Sequence, residues 1–169
     1  MRVRLATVAD AEAIERIRVR GWQTAYRHVF PPTDLDAMLV DWSRFEPELE
    51  RPKPGRACFV AERDGRVLGW AVVGPDASGD HGELHGLYVD PDCWSHGVGR
   101  ALIRRAEDEL AATWTEAVLW TLEDNPRSRR FYERAGWETD GTRSSFPRFG
   151  VEAPVVRYRK RLSSDRSRS

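Results

Sequence analysis

The chain has 169 residues, which predicts one domain, 1–162, large enough to bury a core of its own, and a polar tail, 163–169, read as disordered. Lys plus Arg and Asp plus Glu both number 27, so the formal net charge is zero, which argues against a general nucleic-acid binder. No apolar run reaches the roughly 18 residues of a membrane span, and "MRVRLATVAD" has no apolar core of a secretory signal, so neither a membrane nor a nucleic acid is an expected partner.

Two cysteines, Cys58 and Cys93, occur without CxxC spacing or a nearby His cluster. They make no zinc site, no metal is expected, and plain thiols suit a reducing, cytoplasmic compartment.

In chain order, "RVRLA" reads as a short strand and "TVADAEAIERIRVRGWQTAYRHVF" as a helix. Thr7 or Asp10 is its cap, and Ile14, Ile17, Gly21 and Ala25 share one face before the prolines at 31–32 stop it. Residues 33–50 carry a weaker helical pattern. "CFVAERDGRVLGWAVVG" predicts a hairpin turning at Asp64-Gly65, a pair suited to a type I′ turn. "ELHGLYVDP" follows as a strand, and "GRALIRRAEDELAAT" as a helix lying on a sheet. "AVLWTL" suits a strand buried on both faces. "NPRSRRFYERAGW" has Asn125 as N-cap, Pro126 at the first helical position and Gly136 past the last turn. Residues 137–143 and 154–160 read as final antiparallel strands. The order β-α-α-β-β-β-α-β-α-β-β predicts an α/β fold with one mixed sheet.

The segment "CWSHGVGRAL", 93–102, joins a strand to a helix through Gly97 and Gly99. A nucleotide-hydrolase loop needs a Lys and a hydroxyl after its second glycine, and Arg100-Ala101 stand there instead. A dinucleotide fingerprint needs a third glycine where Leu102 stands. Two readings survive: a nest of main-chain N–H groups over residues 95–100 that binds an anion, helped by His96 and Arg100, or a tight turn.

"LYVDPDCWSHGVGRALI" followed by "NPRSRRFYERAGW" resembles the GNAT superfamily of N-acetyltransferases over residues 2–160. The resemblance implies a mostly antiparallel sheet whose central parallel strands splay apart, flanked by helices. It implies acetyl-CoA as cosubstrate, its pyrophosphate held by Ser95, His96, Gly97, Val98, Gly99 and Arg100, and direct acetyl transfer to an amine in a ternary complex. One departure is plain. Trp94 stands where the family pattern has Gln or Arg, and His96 where Arg is common.

On the same resemblance the backbone of Leu87, Tyr88 and Val89 lies beside the acetyl and pantetheine groups. Main-chain N–H groups suit a carbonyl turning into an oxyanion. Asn125 and Tyr132, seven apart on one helix face, match the family's pantetheine-binding Asn and its general acid near the CoA sulfur. Each also has a plain structural use, as an N-cap and as a core aromatic.

A Lys-like amine with pKa about 10.4 needs a base at neutral pH more than an α-amine near 8 does. Ribosomal-protein acetyltransferases of this superfamily place a Glu five residues before the Asn, and this chain has Trp120 there. Glu83 is the carboxylate candidate, with His85 two residues on along the same strand face. The acceptor pocket is expected around Trp22, Tyr26 and Trp42, with Glu83 at its end and a loop "RSSFPRFG" at 143–150. A small-molecule amine is the expected acceptor, a protein or peptide amine the alternative, and a non-catalytic acyl-CoA sensor a third reading. Homodimers are common in the superfamily, but no residue identifies an interface.

Overall fold

A seven-stranded sheet organises the protein, in the order β1-β2-β3-β4-β5-β7-β6. The structure, a computed structural model, describes residues 1–163, so the predicted tail falls almost wholly outside the described residues. The elements are β1 (Arg2–Leu5), α1 (Ala11–Ala25), α2 (Pro32–Asp36), α3 (Glu46–Glu50), β2 (Ala57–Arg63), β3 (Arg66–Pro75), β4 (Gly82–Val89), α4 (Val98–Ala111), β5 (Glu116–Leu122), α5 (Pro126–Arg134), β6 (Glu138–Arg148) and β7 (Val151–Arg161). All pairings are antiparallel except β4 with β5. No helix among the described residues is long and apolar enough to cross a membrane.

The β2–β3 hairpin turns at Asp64 and Gly65 with φ of 53° and 75°, the two left-handed residues that a type I′ turn requires. Ahead of α1, Thr7 and Asp10 form a capping box around a short 3-10 turn, and Arg4 grips the Asp10 carboxylate at 2.7 Å. Leu102, Ile103, Ala106 and Leu110 of α4 pack onto one face of the sheet. Burial of each of the leucines and the isoleucine there stabilises by about 2 kcal/mol. On the opposite face α1 lays Ile14 and Ile17 over Val60, Val67 and Trp70. The same helix also buries an ion pair that apolar periodicity does not register, Arg18 with both carboxylate oxygens of Glu15 at 2.7 and 2.6 Å.

Three expectations are corrected. Residues 33–50 form no continuous helix but α2, a 3-10 turn at Trp42–Arg44 and α3, because Pro31, Pro32 and Pro47 restart the chain. Residues 143–150 are no loop: β6 runs on to Arg148 and pairs residue by residue with β7 before a tight turn at Phe149-Gly150. β5 is not buried on both faces, for Trp120 is 37% exposed under the Arg157 guanidinium.

Candidate active site

β4 and β5 pair only through Gly82–Leu84 and Ala117–Leu119. Beyond that point β5 continues alongside β7 to Leu122, while β4 continues alongside β3 to Val89, so residues 85–89 have no partner on the β5 side. The cause of the divergence is local. Gly86 pairs with Val72 and Leu84 with Val73, leaving His85 as one extra residue, a bulge. A bulge bends and over-twists its strand. It also shifts the alternation of side chains. Leu84 packs beneath α4, and after the bulge Leu87 and Val89 do too, while Tyr88 joins the α1 face.

The main chain of Leu87, Tyr88 and Val89 therefore lies along the open edge. The Tyr88 side chain has its own place: it stacks on Trp70 with ring centroids 4.8 Å apart and accepts a hydrogen bond from Trp22 Nε1 at 3.2 Å. Its side-chain position was not foreseen. The bulge that sets it follows from no residue-type signal, only from strand pairing.

The loop after β4 brings main-chain N–H groups together at the start of α4. Ser95 and Gly97 have φ of 66° and 81°, and the first helical hydrogen bond of α4 runs from Ala101 N to Gly97 O. The N–H groups of Val98, Gly99 and Arg100 thus precede the helical ladder and point out of its positive end. A Cβ at Gly97 would stand in open space, whereas one at Gly99 would come within 3.2 Å of the Phe131 ring. A pyrophosphate fits such a cradle. His96 instead turns its Nδ1 onto the Trp94 carbonyl at 2.7 Å.

Trp94 is tied down at both ends. Its indole N–H donates to the Val89 carbonyl at 2.9 Å, and the Arg127 guanidinium lies 4.0 Å over its ring. The loop is braced further by Asp90, which the motif reading passed over. Its buried carboxylate accepts from Arg20 of α1 at 2.5 Å and from Arg66 of β3 at 2.9 Å.

Asn125 caps α5 by accepting from Ser128 N at 3.2 Å, and its amide lies beside the Tyr26 hydroxyl. Burial lifts the Tyr26, Tyr88 and Tyr132 phenols above their ordinary range, and Tyr88 acts on Tyr26 and Tyr132 in the same direction. The Tyr26 phenol thus lies near Tyr88, Tyr132 and the Asn125 amide. Cys58, by contrast, is pushed up to about 12, first by burial and then by Asp10 and Glu48, and has no nucleophile's character.

Glu83 and His85 are brought together, with His85 Nδ1 3.3 Å from Glu83 Oε1. The other ring nitrogen faces the Pro75 carbonyl at 3.1 Å. His85 lines a cavity of about 290 Å³ on the α1 face, whose walls include Trp22, Phe45, Trp70, Tyr88 and Phe146. Glu83 stands behind His85 and does not line it. Tyr26 is likewise behind the wall, packed against Trp22 with centroids 5.1 Å apart, and Trp42 is exposed elsewhere. Trp22 alone of those three aromatics lines the chamber.

A family profile described as "Acetyltransferase (GNAT) family" matches residues 16–137, a span that takes in the bulged strand, the loop ahead of α4 and all of α5. The chain belongs to the GNAT acetyltransferase family. An uncharacterized N-acetyltransferase of Bacillus subtilis is 31% identical over 136 residues, 78% of this chain and 76% of its own. A relative from Mycobacterium tuberculosis named "Probable N-acetyltransferase" is 28% identical over 163 residues, covering 94% and 92%. Among solved structures, the PaiA N-acetyltransferase of Thermoplasma acidophilum in complex with coenzyme A superposes with a TM-score of 0.77 at 17% identity, covering 95% of this chain and 98% of that one. The ribosomal-protein-alanine N-acetyltransferase of Brucella melitensis does so with the same score at 25% identity, covering 96% and 100%. This GNAT chain is an acetyl-CoA-dependent N-acetyltransferase, and no cluster of His, Cys, Asp and Glu able to hold a metal occurs among its described residues.

Proposed function

We propose that this GNAT enzyme acetylates the primary amine of a small molecule, with the acceptor seated in the chamber beside His85. The observation that carries this reading is the chamber itself. At about 290 Å³ it has the size of a small-ligand pocket, and Phe146 and Arg148 of β6 form part of its wall. Peptide acetylation is the second reading, favoured by the likeness to the Brucella enzyme and opposed by Trp120, which stands where a base is expected in that subclass.

Acetyl-CoA supplies an acetyl group already activated as a thioester. The N–H groups of Ser95, Gly97, Val98, Gly99 and Arg100 hold its pyrophosphate, that of His96 being taken by the Cys93 carbonyl, and the open edge at Leu87, Tyr88 and Val89 orients the arm and the carbonyl. The amine nitrogen attacks the acetyl carbon, and the C–S bond breaks with its electron pair left on sulfur. The amine proton passes to the Glu83–His85 pair, where a proton held between Nδ1 and Oε1 satisfies both atoms. Tyr132, kept protonated by burial, gives its proton to the thiolate. Asn125 holds α5 in place and lies beside the arm.

Free thiol release from acetyl-CoA, followed across a panel of small amines and peptides, tests the reading. Turnover of small amines at kcat/KM well above that of peptides is the expected result, and turnover confined to peptides would refute it. His85→Ala is expected to lower kcat by about 100-fold, with a greater loss at neutral than at alkaline pH, where more of the amine is already unprotonated.

A further inference from the structure

Resting on that small-amine reading, we infer that the acceptor carries a compact anion, such as a carboxylate, on the carbon next to its amine, as an α-amino acid does. The chamber's charges carry the inference. Four arginines line it, Arg18 from α1, Arg44 from the 3-10 turn, Arg56 ahead of β2 and Arg148 from the end of β6. Arg18 is already matched by Glu15, with two hydrogen bonds below 2.8 Å. Arg44, Arg56 and Arg148 have no carboxylate within ion-pair distance among the described residues, and the one acidic side chain in the wall is Glu48. Three elements distant in sequence thus deliver unmatched guanidinium groups to one small chamber. Such groups recognise carboxylates and similar oxyanions through paired N–H donors.

Arg56 fixes where the anion sits relative to the chemistry. Its stem crosses Gly74 of β3, where a Cβ would fall 2.7 Å from Arg56 Cγ, 3.3 Å from His85 Nε2 and 3.5 Å from Arg56 Nε. The absence of a side chain at Gly74 lets the guanidinium lie against the sheet next to the imidazole. An acceptor whose amine reaches His85 then has its neighbouring carbon within reach of Arg56, with Arg44 and Arg148 closing over the outer side. Trp22, Trp70 and Tyr88 line the chamber beside these guanidinium groups.

The test offers the protein, with acetyl-CoA, α-amino acids, their primary amides and the corresponding amines without the carboxyl carbon, and reads kcat/KM by thiol release. Acids preferred over their own amides by about 10- to 100-fold, with Arg56→Ala and Arg148→Ala each drawing that ratio toward one and Arg56→Lys restoring part of it, bear the inference out. Equal use of acids, amides and bare amines, or variants that lower all three alike, overturns the anion site and leaves the small-amine reading standing. Turnover of peptides alone overturns both.

Discussion

Trp94 donates its indole N–H to the main-chain carbonyl of Val89 at 2.9 Å, tying the loop ahead of α4 to the last residue of the diverging strand. The Gln or Arg that the family pattern has at this position is replaced by a side chain that anchors the loop and stacks under Arg127. Burial lowers Arg127 from its ordinary value, but a guanidinium remains charged at any working pH, so the stack still brings a positive charge to the cradle's rim. Trp94→Phe keeps the ring and removes the hydrogen bond. A CoA dissociation constant raised about three- to tenfold, measured by calorimetry, is the expected outcome, with a loss of stability of about 1 kcal/mol.

The two cradle glycines have different physical reasons, and their variants should separate. Gly97 needs its left-handed φ of 81°, yet a side chain there meets open space. Gly97→Val is therefore expected to weaken CoA binding by more than tenfold at a stability cost of about 1–2 kcal/mol. Gly99 is set by contact with the Phe131 ring, so Gly99→Val should mainly lower the melting temperature by pushing α5 away. Thermal unfolding and CoA titration of both variants check the contrast.

Tyr132 is buried, and burial raises its phenol above the ordinary value, with Tyr88 adding to the rise. For an acid the sign is direct: the proton stays on through and beyond pH 10. The alkaline limb of the wild-type rate profile should thus show no loss from Tyr132 below pH 10. Tyr132→Phe should lower kcat by about 100-fold with CoA affinity little changed, as single-turnover thiol release and calorimetry would show.

Asp10 links the acid stability of the fold to the capping box. Its burial alone would raise the carboxyl, but hydrogen bonds from Arg4 and Thr7 outweigh that and hold it below the ordinary value. A depressed carboxylate stabilises above its unfolded pKa of about 3.9, and the contribution is lost as pH falls through the folded value. Asp10→Asn should then cost about 2 kcal/mol in urea unfolding at pH 7, with the gap to wild type closing below about pH 4.

Much of this site could be read residue by residue, because its signals are local. A left-handed glycine before a helix, an Asn-Pro cap and an Asp-Gly turn each state their backbone geometry within a few positions, and Gly97, Asn125 and Asp64 took up the geometry expected. The Glu83–His85 pair was also foreseen, since alternate residues on a strand share a face, but the reading assumed a regular strand. His85 is the bulged residue, so it reaches the chamber while Glu83 stands behind it. Tyr26 was expected in the pocket wall because helical spacing puts it with Trp22, but it lies behind that wall, against Trp22 and beside the Asn125 amide.

By itself, the sequence determined the family and the order of the strands, and it singled out the loop at 95–100 and Tyr132 on which the proposed chemistry rests, because each is written in a short run of residues. The tertiary structure alone decided where β4 leaves β5, which member of the Glu83–His85 pair lines the chamber, and that Arg44, Arg56 and Arg148 converge. Those depend on strand register and on contacts between segments far apart in the chain, where no local preference reaches.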